Sequence, residues 1–137
     1  MHFEYQVYEA DFVNAGAASS AIKKTLKQLN VNPQIVKRVV VALYEAEVNA
    51  IAHAYGGTID VDIDDGKIVM VVADQGPGIP NIDLAMQEGW STASQQVREM
   101  GYGAGMGLPN IKKNTDELKI DTEIGVGTTV TMTVYLV

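Results

Sequence analysis

The segment from about Pro33 to Tyr55 constrains the fold more than any other part of the sequence. Its apolar residues recur at helical spacing and occupy most of the circumference of the helix that they predict. They are Ile35, Val36, Val39, Leu43, Ala46 and Ala50 on one arc, with Val41, Val48 and Ile51 beside it. Because a helix that is apolar nearly all round is buried on more than one side, other elements of the chain must cover it.

Alternation of apolar and polar residues predicts the strands that supply this cover. Asp65-Gly66 is a two-residue hairpin turn, and the run that follows it is apolar on both faces, as is typical of a central strand. The predicted strands span about residues 3–8, 59–64, 67–73, 118–124 and 128–136, and further helices span about 15–29 and 109–116. Together they predict a two-layer α/β sandwich, equally well labelled α+β, with one mixed sheet of about five strands and helices on one face.

Length and charge narrow the classes of function. The 137 residues predict one domain over residues 1–137, and the formal net charge of −7 argues against direct binding of nucleic acid or an anionic membrane. There is no cysteine, which excludes disulfides, thiol nucleophiles and thiolate metal sites. No long apolar run and no signal-peptide pattern are present, which predicts a soluble, cytoplasmic protein.

Glu45 and Asn49 stand four residues apart in the long predicted helix and therefore share one of its faces. One interpretation is an exposed pair of hydrogen-bonded side chains. The other is a carboxylate base beside a neutral oxygen ligand for Mg²⁺, an ion that takes oxygen ligands. Glu47 falls inside the apolar arc of the same helix, where the pattern suggests only a snorkelling side chain.

Two glycine-rich segments offer sites for a nucleotide. Asp74 follows the central strand and precedes Gly76 and Gly78. Its carboxylate is a fixed hydrogen-bond acceptor, and the glycines beside it have no side chains, so a flat adenine ring can approach the backbone there. Four alternate glycines from Gly101 to Gly107 lead into a predicted helix, and free backbone N–H groups at a helix N-terminus bind phosphate. A simple turn is the alternative for the first segment, and a lid hinge for the second.

The order of these motifs resembles that of the GHKL or Bergerat-fold ATPases, the superfamily of histidine-kinase catalytic domains, Hsp90, gyrase B and MutL. The matching segments are Glu45-Ala46-Glu47-Val48-Asn49 for the N box, Asp74-x-Gly76-x-Gly78 and Gly101 to Gly107 for the glycine boxes, and Gly127-Thr128 for the closing pair. The resemblance spans about residues 40–137. The short single-domain form is most similar to the anti-sigma-factor serine kinases, including their stressosome switch-kinase branch.

The resemblance implies ATP and Mg²⁺ as cofactors and a role for each matching residue. Asn49 would hold the Mg²⁺, and Asp74 would accept a hydrogen bond from the adenine amine with support from Thr128. Glu45 would orient and deprotonate the attacking hydroxyl, which in the kinase branch belongs to a serine of a STAS-domain antagonist protein. An ATP lid would span about residues 79–107. The backbone amides of Gly103, Gly105 and Gly107 would meet the phosphates, and the other implied nucleotide contacts are Gly76, Gly78, Gly101 and Leu108.

The function expected from this resemblance is an ATP-binding serine/threonine kinase that phosphorylates an antagonist protein and controls a regulator such as a sigma factor. Pairing as a homodimer is left open. A nucleotide-gated protein-binding module without phosphate transfer is one alternative, although such a module has no need of a base at Glu45. A stand-alone histidine-kinase catalytic domain is the other, and the sequence lacks the long hairpin that would carry a phosphoacceptor histidine.

Overall fold

The structure, a computed structural model, describes residues 1–8, 11–53, 56–75 and 107–137. These residues form a sheet covered by helices. The strands are β1 (His2–Tyr8), β2 (Gly56–Ile63), β3 (Lys67–Asp74), β4 (Glu117–Glu123) and β5 (Gly127–Tyr135). The helices are α1 (Ala17–Gln28), which follows a short 3-10 turn (Phe12–Asn14), α2 (Pro33–His53) and α3 (Gly107–Asn114).

The five strands form one sheet in the order β1-β2-β3-β5-β4, with all four pairings antiparallel. The predicted α/β fold is confirmed, but the predicted mixed pairing is corrected. Two consecutive helices, α1 and α2, separate β1 from β2 and are joined by a short connection. Such a helical hairpin returns the chain to the end of the sheet at which β1 finished, so β2 runs antiparallel to β1. Strands β3 and β4 run in the same direction, but β5 lies between them and pairs with both.

The core lies between one face of the sheet and the helices. Ile68, Met70 and Val72 of β3 are buried on that face, and β3 is the middle strand, as predicted. The buried side chains beside them in the sheet are Ile59, Val61 and Ile63 of β2 and Val130, Met132 and Val134 of β5. The period-two pattern of these strands therefore separates the core face from the outer face.

Helix α2 contacts α1, α3 and the strands β1, β2, β3 and β5. Its buried side chains include most members of both predicted apolar groups, with Val39 and Leu43 fully buried and Val48 and Ile51 at most 5% exposed. Ile35 and Val41 are half-buried. The prediction that this helix is covered on more than one side is confirmed. None of the helices in the described part of the chain combines the length and the apolar character needed to cross a membrane.

Glu47, on α2, caps the N-terminus of the neighbouring helix α1. Glu47 is only 3% exposed. Its carboxylate accepts hydrogen bonds from the backbone N–H groups of Gly16 (3.1 Å), Ala18 (3.3 Å) and Ser19 (3.3 Å). The Ser19 hydroxyl donates a fourth bond at 3.0 Å. The first turn of a helix has N–H groups without intrahelical partners, and the N-cap Gly16 has no side chain to satisfy them. The snorkelling interpretation is therefore wrong, since this carboxylate joins α2 to the start of α1.

Asp116 connects three parts of the fold through one carboxylate. It accepts hydrogen bonds from the backbone N–H of Tyr135 at 2.8 Å and from the Arg38 guanidinium at 3.0 Å. These contacts hold the pKa of Asp116 below its ordinary value, and the hydrogen bond from Tyr135 is the larger cause. Because the pKa is lower in the folded chain than in the unfolded chain, ionised Asp116 stabilises the fold at neutral pH and loses this effect in acid.

Substitution Asp116→Asn is expected to lower the free energy of unfolding by about 1 kcal/mol at neutral pH, a small value because the carboxylate is partly exposed. The difference from the wild type should begin to shrink below about pH 4, the ordinary pKa of an Asp carboxyl, and fade as the pH falls through the lower pKa of folded Asp116. Urea unfolding at neutral pH and in acid measures both quantities. A difference of the same size at both pH values would show that the charge of Asp116 does not matter.

Candidate functional site

The two polar residues predicted on one face of α2 lie against the start of α3. A methyl group placed on Gly107 would be 2.8 Å from both the oxygen and the nitrogen of the Asn49 carboxamide, so the Gly107 backbone packs directly on that side chain. Glu45 accepts a hydrogen bond from the Asn110 side-chain amide at 3.4 Å. Both α2 residues are half-buried, which disfavours the interpretation as a solvated pair.

Asp74 is held at the carboxyl end of the central strand. Its Oδ1 accepts a hydrogen bond from the backbone N–H of Thr128 at 3.1 Å. Thr128 is 6% exposed, and its hydroxyl shares a hydrogen bond of 2.9 Å with the hydroxyl of Thr122 on β4. The first residues of β5 therefore fix the orientation of the Asp74 carboxylate.

Two glycines allow neighbouring strands to approach the backbone of Asp74. A Cβ atom on Gly57 of β2 would lie 2.1 Å from the carbonyl oxygen of Ala73 and 2.8 Å from the Cα of Asp74. A Cβ atom on Gly127 of β5 would lie 2.1 Å from the carbonyl oxygen of Asp74. Neither position has room for a side chain, and close backbone approach is a characteristic use of glycine in strands.

The remaining predicted site residues divide into two groups. Gly76, Gly78, Gly101, Gly103 and Gly105 lie outside the described residues, as does the predicted lid apart from Gly107, which is the first residue of α3. Leu108 follows it and is buried in the hydrophobic core, where it anchors the first turn of α3.

Asn110 and Thr122 join the site although neither belongs to a sequence motif. Asn110 stands three residues after Gly107 in α3, so both residues lie on neighbouring positions of one helix face. That spacing is the only signal that the sequence offers for it. Thr122 lies opposite Thr128 in the pairing of β4 with β5, and only the register of these strands places the two hydroxyls together.

The donor set fits a nucleotide with a hard divalent cation. Asn49 offers a side-chain oxygen of the kind that Mg²⁺ prefers, and Glu45 offers a carboxylate on the same face of α2. The Gly107 backbone packs on the Asn49 carboxamide, where a Cβ atom would be too close. The first backbone N–H groups of α3 have no partners within the helix, and such groups bind phosphate. Asp74 supplies an oriented acceptor at the end of the sheet. The arrangement can therefore contact a base with one group of residues and phosphates with the other.

Comparison with known proteins gives one family and one fold. The family model described as the histidine kinase-like ATPase domain matches residues 8–134. The anti-sigma F factor of Caldanaerobacter subterraneus subsp. tengcongensis is 33% identical over 128 residues, which cover 90% of this chain and 86% of that protein. The serine/threonine-protein kinase RsbT of Bacillus subtilis is 32% identical over 116 residues, which cover 82% of this chain and 81% of the kinase.

A solved structure of similar fold contains the RsbU and RsbW domains of Rv1364c from Mycobacterium tuberculosis. It superposes with a TM-score of 0.68 at 19% identity, and the match covers 99% of this chain and 32% of that one. At this identity the similarity supports the fold alone.

Proposed function

The chain belongs to the histidine kinase-like ATPase domain family, and from this premise we propose that it is an ATP-dependent serine/threonine protein kinase. One observation carries the proposal further than family membership: Glu45 and Asn49 share a face of α2 and both contact the first turn of α3. This arrangement places a carboxylate that can accept a proton beside a carboxamide that can hold a cation. A module that only binds nucleotide has no need of the carboxylate.

The names of the relatives support a class of protein partner. One relative is named as an anti-sigma F factor, which supports a sigma factor as the regulated partner. Another is named as a serine/threonine-protein kinase, which supports transfer of phosphate to a hydroxyl. We therefore assign the accepting serine to a STAS-domain antagonist protein, as the resemblance of the motifs implies.

Nucleotide binding would use both groups of site residues. Asp74, oriented by the backbone amide of Thr128, would accept a hydrogen bond from the adenine amine. Asn49 would hold the Mg²⁺, which neutralises charge on the phosphates when it is bound. The phosphates would meet the amide groups at the start of α3 and those of the proposed glycine contacts, which are Gly76, Gly78, Gly101, Gly103, Gly105 and Gly107.

Transfer would depend on the position of Glu45. The serine oxygen forms a bond to the γ-phosphorus while the bond from that phosphorus to the β–γ bridging oxygen breaks, and ADP leaves. The serine proton passes to Glu45. The hydrogen bond from Asn110 reaches Oε1 of Glu45, so we assign the proton to Oε2. Positioning of this kind, together with charge neutralisation, is what phosphoryl transfer requires.

Binding of ATP measured by calorimetry, with Mg²⁺ and with EDTA, tests the cation site. Substitution Asn49→Ala is expected to weaken binding at least tenfold in Mg²⁺ and to remove most of the difference between the two conditions, because the cation loses its protein ligand. Asn14→Ala is the matched control, since that exposed amide bonds only to the nearby Asp11 carboxylate among the described residues. An Asn49→Ala variant with wild-type affinity and Mg²⁺ dependence would contradict the assignment.

Substitution Gly107→Ala is expected to weaken ATP binding about tenfold or more, because the new methyl group would displace the Asn49 carboxamide or the start of α3. Gly66→Ala is the matched control, since a Cβ atom there would meet only one carboxylate oxygen, at 3.8 Å. Calorimetry gives the affinity, and urea unfolding shows whether each variant is folded. Equal affinities for the two folded variants would show that the contact between Gly107 and Asn49 does not shape the site.

A further inference from the structure

A groove of about 610 Å³ lies between α1 and the first half of α2, and the proposed kinase activity makes no use of it. Three exposed lysines line it: Lys23 and Lys27 on α1 and Lys37 on α2. A shallower depression on α1 adjoins it and is lined by Lys23, Lys24 and Lys27. The two depressions thus form one basic surface, which we call the lysine groove.

The lysine groove is positively charged although the chain as a whole is negative. The protein has a net charge of −7 with ten Lys and Arg, and four of these ten residues lie in this one surface. Among the residues that the structure describes, neither depression is lined by an acidic side chain. Within the described residues, none of the four lysines forms an ion pair. The ammonium groups are therefore available to carboxylates of another molecule.

The floor of the lysine groove is apolar. Val36 is 3% exposed, and Val31 and Val40 are half-buried against the hydrophobic core. A groove with an apolar floor and a basic rim complements a segment that carries apolar side chains on one face and carboxylates beside them. In the described part of the chain, the lining holds no arginine and no aromatic residue that could stack on bases. The net negative charge of the chain also repels nucleic acid.

We propose that the lysine groove docks an acidic amphipathic helix of a partner protein. The α2 residues that line it, 33–41, rise by about 12 Å along the helix axis, which matches about two turns of a docked helix. Lys37 and Asn49 are about 18 Å apart along α2, so a segment in the groove leaves the nucleotide site open. The groove thus supplies a docking contact that is separate from the phosphorylated serine.

A labelled synthetic peptide tests this proposal on the full chain without nucleotide. The peptide is about four helical turns long and carries leucines at helical spacing on one face, with glutamates beside them. Fluorescence anisotropy measures its affinity, and amide chemical shifts locate its site. We expect shifts concentrated in residues 20–41. Peptides with lysine in place of glutamate, or serine in place of leucine, should bind at least tenfold more weakly.

Charge-reversal variants provide the matched comparison. Lys23→Glu with Lys27→Glu should weaken peptide binding more than tenfold, whereas Lys67→Glu with Lys119→Glu should change it less than about twofold at the same net charge. Lys67 and Lys119 are exposed and lie on β3 and β4, away from the groove. Urea unfolding establishes that both variants are folded, and Lys23→Gln with Lys27→Gln provides a milder version of the test.

Three results would overturn the proposal. The first is equal weakening in the two charge-reversal variants, which would reduce the effect to net charge. The second is a set of amide shifts outside the groove, or none at all. The third is displacement of the labelled peptide by a competitor, either single-stranded oligodeoxythymidine or phosphatidylserine vesicles, at a lower concentration than unlabelled peptide requires. Displacement by the oligonucleotide would assign the surface to a nucleic acid, and displacement by the vesicles would assign it to a membrane. Because no nucleotide is present, these outcomes are independent of those for the kinase site.

Discussion

Substitution Glu45→Ala is expected to reduce phosphate transfer at least about 100-fold while it changes the affinity for ATP and Mg²⁺ no more than about twofold. The carboxylate lies on the same face of α2 as Asn49, but its proposed role involves no contact with the nucleotide before transfer begins. Its loss therefore raises the barrier to transfer and leaves binding intact. Transfer of labelled γ-phosphate to a protein substrate and calorimetry of ATP binding measure the two quantities on the same preparation.

Glu45→Gln separates the proton from the shape of the side chain. The amide keeps an oxygen that can accept the hydrogen bond from Asn110, which is 3.4 Å long in the wild type, but it cannot take the proton of the serine. We expect Glu45→Gln to lose transfer to about the same extent as Glu45→Ala. If either variant loses ATP affinity in proportion to transfer, Glu45 has a structural role and the base must be sought elsewhere.

The largest effect on stability is expected for Glu47→Ala, which should lower the free energy of unfolding by about 3 kcal/mol or more. The substitution leaves three backbone N–H groups and the Ser19 hydroxyl without their shared acceptor in a buried place. It also removes the negative charge from the N-terminus of α1, where it is favourable. Urea unfolding followed by circular dichroism measures the loss.

Two further variants calibrate this effect. Glu47→Gln keeps one acceptor oxygen and should lose about half as much stability as Glu47→Ala. Glu123→Ala, an exposed glutamate on β4, should change the free energy of unfolding by less than about 0.5 kcal/mol. A Glu47→Ala variant as stable as Glu123→Ala would mean that water caps α1 equally well.

The sequence was sufficient to predict the layers of the fold and the family. The all-round apolar helix requires neighbours on several sides, and α2 has α1, α3 and the sheet. The run after Asp65-Gly66 forms the middle strand, with Ile68 and Met70 fully buried on the core side. The family model over residues 8–134 confirms the resemblance drawn from the N box and the glycine boxes.

Contacts between distant residues could not be predicted in the same way. Periodicity shows which face of a strand is buried but not which strand lies beside it. The prediction of a mixed sheet is wrong for this reason, since the described strands pair antiparallel. Glu47 accepts hydrogen bonds from groups at the start of α1 that lie 28 to 31 residues away in the sequence. Thr128 is 54 residues from Asp74. Only the packing of α1 on α2, and the pairing of β3 with β5, brings these groups together.

The roles of the site residues themselves stay predictions. The structure brings Glu45 to Asn110, Asn49 to Gly107 and Asp74 to Thr128, and each contact joins a predicted residue to the backbone or side chain of another element. The glycines of the first box and most of the second lie outside the described residues. Their contribution to phosphate binding therefore stays a prediction from the motif.

Transfer of labelled phosphate to another protein tests the central claim most directly. The purified chain is incubated with γ-labelled ATP, Mg²⁺ and a lysate of its source cells, and labelled bands are then treated with acid and with alkali. We predict an acid-stable, alkali-labile band on a second protein, which identifies a phosphorylated serine or threonine and disappears when Glu45→Ala replaces the wild type. An acid-labile band would indicate transfer to histidine. The absence of any labelled band from a chain that binds ATP would contradict the kinase assignment and favour a nucleotide-gated binding module.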